Sequence, residues 1–204
     1  MIRIPLLLAL LATTPALAAT GSDPDWPCIQ RKQPHLSLGQ LWTGPVPDDP
    51  VIELAKTPEI AKLAARLEQR RLPLEEATAL IADFAAEADD ARLTALMQAI
   101  FMRIDRDRSA LIAGISRYGR AQVALADRIK SRRSRFADLQ AAQAPDFDAI
   151  DAEEEALDWD MRIFDDRQKS LTYVCETPVI LEQRAFALGR AIGAHLEQDG
   201  SVGP

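Results

Sequence analysis

A long heptad repeat constrains this chain more than any other feature of its sequence. Apolar residues recur at alternating steps of four and three between residues 91 and 198, with one interruption near Pro145. Such spacing keeps one stripe of a helix facing a partner helix. The stripe before the interruption comprises Leu93, Met97, Ile100, Ile104, Asp107, Leu111, Ile115, Tyr118, Gln122, Leu125, Ile129, Arg132, Phe136 and Leu139. The stripe after it comprises Ile150, Glu154, Leu157, Met161, Phe164, Gln168, Leu171 and Cys175, followed by a run that ends at His195.

The interruption predicts a tight connection between two helices. Pro145 ends the first helix, and Asp146 or Asp148 can cap the second. A connection this short makes the two helices antiparallel neighbours. Folding the chain about it pairs Leu139 with Ile150, Ile129 with Met161, Leu125 with Phe164 and Ile115 with Cys175.

Charge supports the same register. A basic run in the first helix lies at positions that mirror an acidic run in the second. Opposite charges beside an apolar stripe set the register of two helices, although each exposed pair stabilises them only a little. The basic run is Arg128, Lys130, Arg132, Arg133 and Arg135, and the acidic run is Asp151, Glu153, Glu154, Glu155 and Asp158.

The width of the apolar stripe predicts the architecture. It is wide at residues 93–104 and 179–192, as in a helical bundle, and narrow between residues 118 and 171, as in a two-helix arm. We therefore expect an all-α fold, a long antiparallel hairpin with a coiled-coil-like arm on a small helical-bundle base. Its single domain, residues 57–198, contains helices at about 57–71, 73–88, 91–143 and 148–198. We expect a break at Asp89-Asp90, a kink at Pro178, and a frayed tail at residues 199–204.

The first residues have the pattern of a secretory signal peptide. Arg3 supplies a positive charge, Ile4 to Leu11 an apolar run, and residues 16–18 an A-x-A cleavage signal. The mature protein is then periplasmic or secreted, without a transmembrane segment. The whole chain has a net charge of −7, and the loss of Arg3 makes it −8. So acidic a chain is not expected to bind nucleic acid or anionic lipid.

Residues 19–56 read as an extended Pro-rich segment that packs on the helices. Its six prolines between residues 24 and 50 exclude a long helix, while Trp26, Leu36 and Trp42 are unlike a polar linker. The segment also carries Cys28, whose only possible partner in the chain is Cys175. In an exported protein two cysteines predict a disulfide. The alternative is a thiolate metal or redox site, which would bring a C-x-x-C pair or nearby histidines.

The sequence contains no complete catalytic or metal-binding motif. Asp105, Asp107 and Ser109 imitate the start of a calcium-binding loop, but Ala110 and Ser116 stand where glycine and glutamate are required. The histidines, His35 and His195, are isolated in sequence. There is no haem-attachment motif, phosphate-binding loop or nucleophile elbow. We therefore predict no catalytic residues, no cofactor and no metal.

Three classes of function are compatible with the sequence. The first is a non-enzymatic interaction protein of the periplasm, such as an assembly factor, adaptor or chaperone-like protein. The second is a bundle that binds a small ligand or metal between helices near Cys175, Tyr118 and Asp107. The third is an enzyme whose site is assembled from residues distant in sequence.

Trp159 is the predicted anchor for a partner protein. It lies about 200° around its helix from both Leu157 and Met161, on the side away from the seam. Asp158 and Asp160 flank it, and tryptophan is enriched among the residues that dominate interface energies. Two simpler accounts compete with this one: single exposed apolar residues are common, or the N-terminal segment covers the ring.

Overall fold

The computed structural model describes residue 23 and residues 25–196, and all the regular structure in this part of the chain is helical. The predicted signal peptide and frayed tail lie outside the described residues. The elements are a 3₁₀ turn at Leu38–Gln40 and five α-helices: α1 Asp49–Leu54, α2 Pro58–Leu67, α3 Leu74–Ala85, α4 Asp90–Gln140 and α5 Phe147–Gly193. The all-α hairpin is therefore confirmed.

The ends of the long helices follow their capping residues. The Asp89 carboxylate accepts a hydrogen bond from the Arg92 N–H, so α4 starts anew after α3, as expected. The Asp146 carboxylate accepts from the Ala149 N–H and begins α5 just after Pro145. Helix α5 continues through Pro178 and does not end there.

The base of the molecule is a helical bundle around the open end of the hairpin. Helices α1 and α2 pack on α4, and α3 packs on α5. Its largest fully buried side chains come from all four of α2–α5: Ile60, Leu67, Ile81, Leu93, Leu96, Met97, Ile100, Ile104, Leu188 and Ile192. This core holds the open end of the hairpin together, and the closed end of the hairpin projects beyond it.

The N-terminal segment is not extended throughout, in contrast to the prediction for residues 19–56. Helix α1 forms at its end, because Asp48 caps the Val51 N–H and Pro50 stands in the first turn, where its missing N–H costs nothing. Prolines there exclude a long helix but suit the start of a short one.

Residues 25–42, which we call the strap, run along the hairpin antiparallel to α4. Asp25 lies beside Gly119, Cys28 is bonded to Cys175, and the Leu41 carbonyl approaches Gly189. Leu36, Leu41 and Trp42 are buried in the base core. The predicted packing of this segment and the predicted disulfide are both confirmed.

Beside the strap, the buried stripe of α4 differs locally from the predicted one. Asp107 and Tyr118, predicted to face α5, are replaced in the buried set by Arg108 and Gly119. The reason is that the strap covers that side of α4. The Arg108 guanidinium donates to the Gln33 carbonyl, and Gly119 leaves room for the strap backbone.

Candidate functional site

The arm is the part of the hairpin beyond Gly119 in α4 and before Leu171 in α5. Its interior contains ion pairs as well as apolar contacts. Both oxygens of Asp160 accept from Arg128, at 2.7 and 2.8 Å, and Arg132 adds a third bond at 2.9 Å. Asp160 is buried, with 5% of its surface exposed. The hydrogen bonds from Arg128 lower the pKa of Asp160, and the same pair raises the pKa of Arg128.

A second buried acid continues this interior one heptad earlier. Glu153 is 7% exposed, and its carboxylate accepts from Arg132 at 3.0 Å and from Arg135 at 3.3 Å. The predicted seam had Glu154 here, which is instead exposed. Of the predicted acidic run, Glu153 alone pairs with the basic run in the described part of the chain, and it lies inside the seam and does not flank it. Asp160, which pairs with Arg128 and Arg132, was not in that run. The planar guanidinium of arginine binds carboxylates in a fixed geometry. Such pairs form in one register of the two helices and therefore help to fix that register.

The register of the two helices agrees with the predicted pairing to within about one turn. The Gln122 side-chain amide donates to the Phe164 carbonyl, and the Tyr118 hydroxyl donates to the Arg167 carbonyl. Ile129 lines one groove together with Phe164 and with Met161, its predicted partner.

Trp159 lies on the outer side of α5 and leaves 60% of its surface exposed. Tyr173 and Ile180 follow at intervals of fourteen and seven residues and are 75% and 42% exposed. Residues seven apart share one side of a supercoiled helix, so these three form an exposed stripe. The strap does not cover Trp159, because it contacts the hairpin on the side of Cys175.

The two acids beside Trp159 have different surroundings. Asp158 is exposed and lines a shallow surface together with Trp159. Asp160 is turned into the arm and neutralised by Arg128 and Arg132. The structure therefore keeps Asp158 with Trp159 at the surface, while Asp160 holds the helix that carries them. The other side chains along this surface are Asp151, Ala152, Glu154, Glu155, Ala156 and Arg162.

The residues of the predicted ligand site do not converge. Cys175 lines a groove of about 330 Å³ beside the strap, whereas Asp107 and Tyr118 line another of about 650 Å³ that does not include Cys175. Asp107 pairs with its neighbour Arg106 and the Tyr118 hydroxyl is engaged by a backbone carbonyl. The three residues of the predicted site therefore do not share one groove.

Two arginines of the long helices bind groups of the base. Arg103 pairs with Glu68, whose hydrogen bond raises the pKa of the guanidinium. Arg184 donates to the backbone carbonyls of Leu67 and Leu72, the residues that connect α2 to α3. Desolvation lowers the pKa of Arg184. Both arginines therefore fasten the base together.

One polar cluster was not predicted. His35 in the strap lies beside Asp105 and Ser109 of α4, with its Nδ1 3.0 Å from Asp105 Oδ2 and 3.1 Å from Ser109 Oγ. The three residue types match a hydrolase triad, but both partners meet the same ring nitrogen. The Ser109 hydroxyl donates to the Pro34 carbonyl at 2.6 Å. A nucleophilic serine must instead face the nitrogen opposite the acid, so this cluster fastens the strap to α4.

Metal ligands do not gather anywhere in residues 23 and 25–196: no group of three His, Cys, Asp or Glu side chains is arranged to hold an ion. In the same part of the chain, no helix has an apolar stretch of the length needed to cross a bilayer. Comparison of the chain with protein-family models, curated proteins and solved structures found no match.

Proposed function

We propose that this chain is an exported, non-enzymatic interaction protein of the periplasm, an assembly factor, adaptor or chaperone-like protein that binds a partner protein through its arm. The observation that carries the proposal is the exposure of Trp159 on the projecting arm. Tryptophan at a protein surface supplies a large contact area with few rotatable bonds, which is why it dominates many interfaces.

The surroundings of Trp159 support a protein partner over a small ligand. The surface beside it is open and lies along a single helix, so it offers no cavity that could enclose a small molecule. Asp158 and its acidic neighbours form a polar rim around an aromatic centre, the usual arrangement of a protein interface. Asp160 contributes indirectly, by fixing α5 against α4.

Affinity purification from the native host tests this function. Wild-type protein, Trp159→Ala and Phe186→Ala are expressed at matched levels, and the proteins that co-purify are quantified. Phe186 is a matched control, because it is an exposed aromatic residue of the base, 44% exposed. We expect Trp159→Ala to lose a partner that the other two retain. Equal recovery from all three, or no partner from any, would contradict the proposal.

Export is tested separately by N-terminal sequencing of the protein isolated from the host. We expect a mature chain that begins at Ala19, recovered with the periplasmic fraction. An intact N-terminus in the cytoplasmic fraction would reject the periplasmic location while leaving the Trp159 experiment meaningful.

A further inference from the structure

The apolar stripe of α5 is only partly used inside the hairpin. Leu157, Met161 and Phe164 were expected to face α4, but Glu153 and Asp160 take the inward positions because their carboxylates reach the arginines of α4. The stripe is therefore rotated toward one side of the arm, where Met161 is 36% exposed and Leu157 and Phe164 are half-buried.

Met161 and Phe164 form the floor of a groove between the two helices of the arm. The groove measures about 340 Å³ and is lined by Ala126, Ile129, Lys130, Arg133, Met161, Phe164 and Asp165. Toward the tip of the arm, half-buried Phe136 and Leu157 stand one heptad beyond Ile129 and Phe164 and so lie on the same side of their helices. A two-helix coiled coil with a third apolar strip along one side has the cross-section of a three-helix coil that lacks one helix.

The groove continues the side of the hairpin that the strap already covers. Ala126 and Arg133 stand seven and fourteen residues after Gly119, which touches the strap, and Met161 stands fourteen residues before Cys175. Residues a whole number of heptads apart lie on one side of a supercoiled helix. The described strap thus covers the part of this side that is nearer the base, and the groove lies on the part nearer the tip of the arm.

The two rims of the groove carry opposite charges that have no ion-pair partner among the described residues. On the α4 rim, the Arg133 guanidinium donates only to the Met161 sulfur, at 3.5 Å, and Lys130 forms no ion pair. Their neighbours Arg128, Arg132 and Arg135 all pair with carboxylates of α5. On the α5 rim, Asp165 is likewise unpaired in this part of the chain.

We propose that this groove binds an amphipathic helix of a partner protein, which completes a three-helix coiled coil along the arm. The bound helix lays its apolar stripe on Ile129, Met161 and Phe164. It carries acidic residues along the edge above Lys130 and Arg133, and basic residues along the edge above α5. Charged residues at the edges of a coiled coil select its partners in this way.

This surface is distinct from the one proposed above. Trp159 is about 200° around α5 from Met161, so a helix in the groove does not reach the indole ring. The proposal therefore does not depend on the role given to Trp159, and each can fail alone.

A synthetic helix provides the test. The probe is a labelled four-heptad peptide with leucine at the two core positions, glutamate along one edge and lysine along the other. The full-length oxidised protein is titrated into a nanomolar concentration of the peptide, and fluorescence anisotropy reports binding. Two control peptides carry glutamate on both edges or lysine on both, and a third has serine at the core positions.

We expect the mixed-edge peptide to bind saturably, the single-charge peptides to bind more weakly, and the serine peptide not to bind. Met161→Gln should weaken binding by roughly tenfold, the effect of removing one buried apolar side chain, and Trp159→Ala should leave it unchanged. Met161 is part-exposed, so its variant should fold, which circular dichroism checks. Absence of binding, equal binding of all charged peptides, or loss with Trp159→Ala in place of Met161→Gln would overturn the proposal.

Discussion

Buried acids are the residues that most distinguish this arm from an ordinary coiled coil. Asp160 and Glu153 stand at inward positions where apolar residues usually pack. Each is compensated by two arginines, so neither leaves an uncompensated charge in the interior. The arm therefore buries less apolar surface than an ordinary coiled coil, but its register is fixed. A slip of one residue would separate the buried carboxylates from their arginines.

Asp160→Asn should destabilise the protein in a pH-dependent manner. The hydrogen bonds from Arg128 hold the folded-state pKa of Asp160 below the value of about 3.9 that an unfolded chain has. The stabilisation is therefore complete well above that pH and is lost as the pH falls through the lower, folded-state pKa. At pH 7 we expect the variant to lose about 1–3 kcal/mol of unfolding free energy, as measured by urea unfolding.

The difference between wild type and Asp160→Asn should shrink when the titration is repeated near pH 3. Asp158→Asn is the control, because Asp158 is exposed and forms no ion pair among the described residues. An equal loss for the two variants, or a loss from Asp160→Asn that does not change with pH, would contradict this account.

The elements that could be predicted from the sequence are those that local rules determine. The heptad spacing gave both long helices, Pro145 and Asp146 gave the turn, and the pair of cysteines gave the disulfide. These rest on residues close in sequence or on a pairing with no alternative.

The details that the sequence did not predict depend on contacts between distant segments. Arg108 is buried because it reaches the Gln33 carbonyl, and His35 meets Asp105 only once the strap lies on α4. The rotation of α5 likewise follows from arginines some thirty residues away, as with Arg128 and Asp160. No periodicity within one helix encodes such neighbours. The many prolines of the N-terminal segment also led to α1 not being predicted. A short helix needs only one well-placed cap, which Asp48 provides here.

Two glycines of α4 should respond in opposite ways to the same substitution. A Cβ at Gly119 would lie 2.6 Å from the Asp25 carbonyl oxygen and 3.1 Å from Pro27, so Gly119→Ala must displace the strap. We expect it to lower the unfolding free energy by about 1–3 kcal/mol. A Cβ at Gly114 meets only the end of Arg117, at 3.7 Å. Gly114→Ala should then raise the free energy by about 0.5–1 kcal/mol, because alanine has the better helix propensity.

Urea unfolding of the two alanine variants beside wild type measures this contrast. The two glycines lie in one helix only five residues apart, so their intrinsic propensity gain is the same and the difference reports the strap alone. If both variants were stabilised equally, the close approach of the strap to Gly119 would be wrong.

At the scale of the whole molecule, stability is concentrated at one end. Most of the fully buried apolar side chains belong to the base, whereas the arm has a narrow interior with two carboxylates in it. The strap and its disulfide join the two regions, since Cys28 is bonded to α5 where the arm begins and Leu41 and Trp42 are buried in the base. This division lets the arm present its surfaces far from the core that holds the chain folded.

The disulfide should therefore stabilise the whole fold and not only the strap. It joins residues 147 positions apart, and closing a loop of that length removes much of the entropy of the unfolded chain. We expect reduction to lower the unfolding free energy by about 2–5 kcal/mol.

Urea unfolding of the same protein with and without reductant measures this change in stability without changing the sequence. A Cys28→Ala/Cys175→Ala variant should match the reduced protein. Helical content should stay nearly constant before unfolding, because the base core does not include either cysteine. Identical midpoints for the oxidised and reduced protein would mean that Arg108, Asp105 and the buried strap residues hold this segment without the covalent bond.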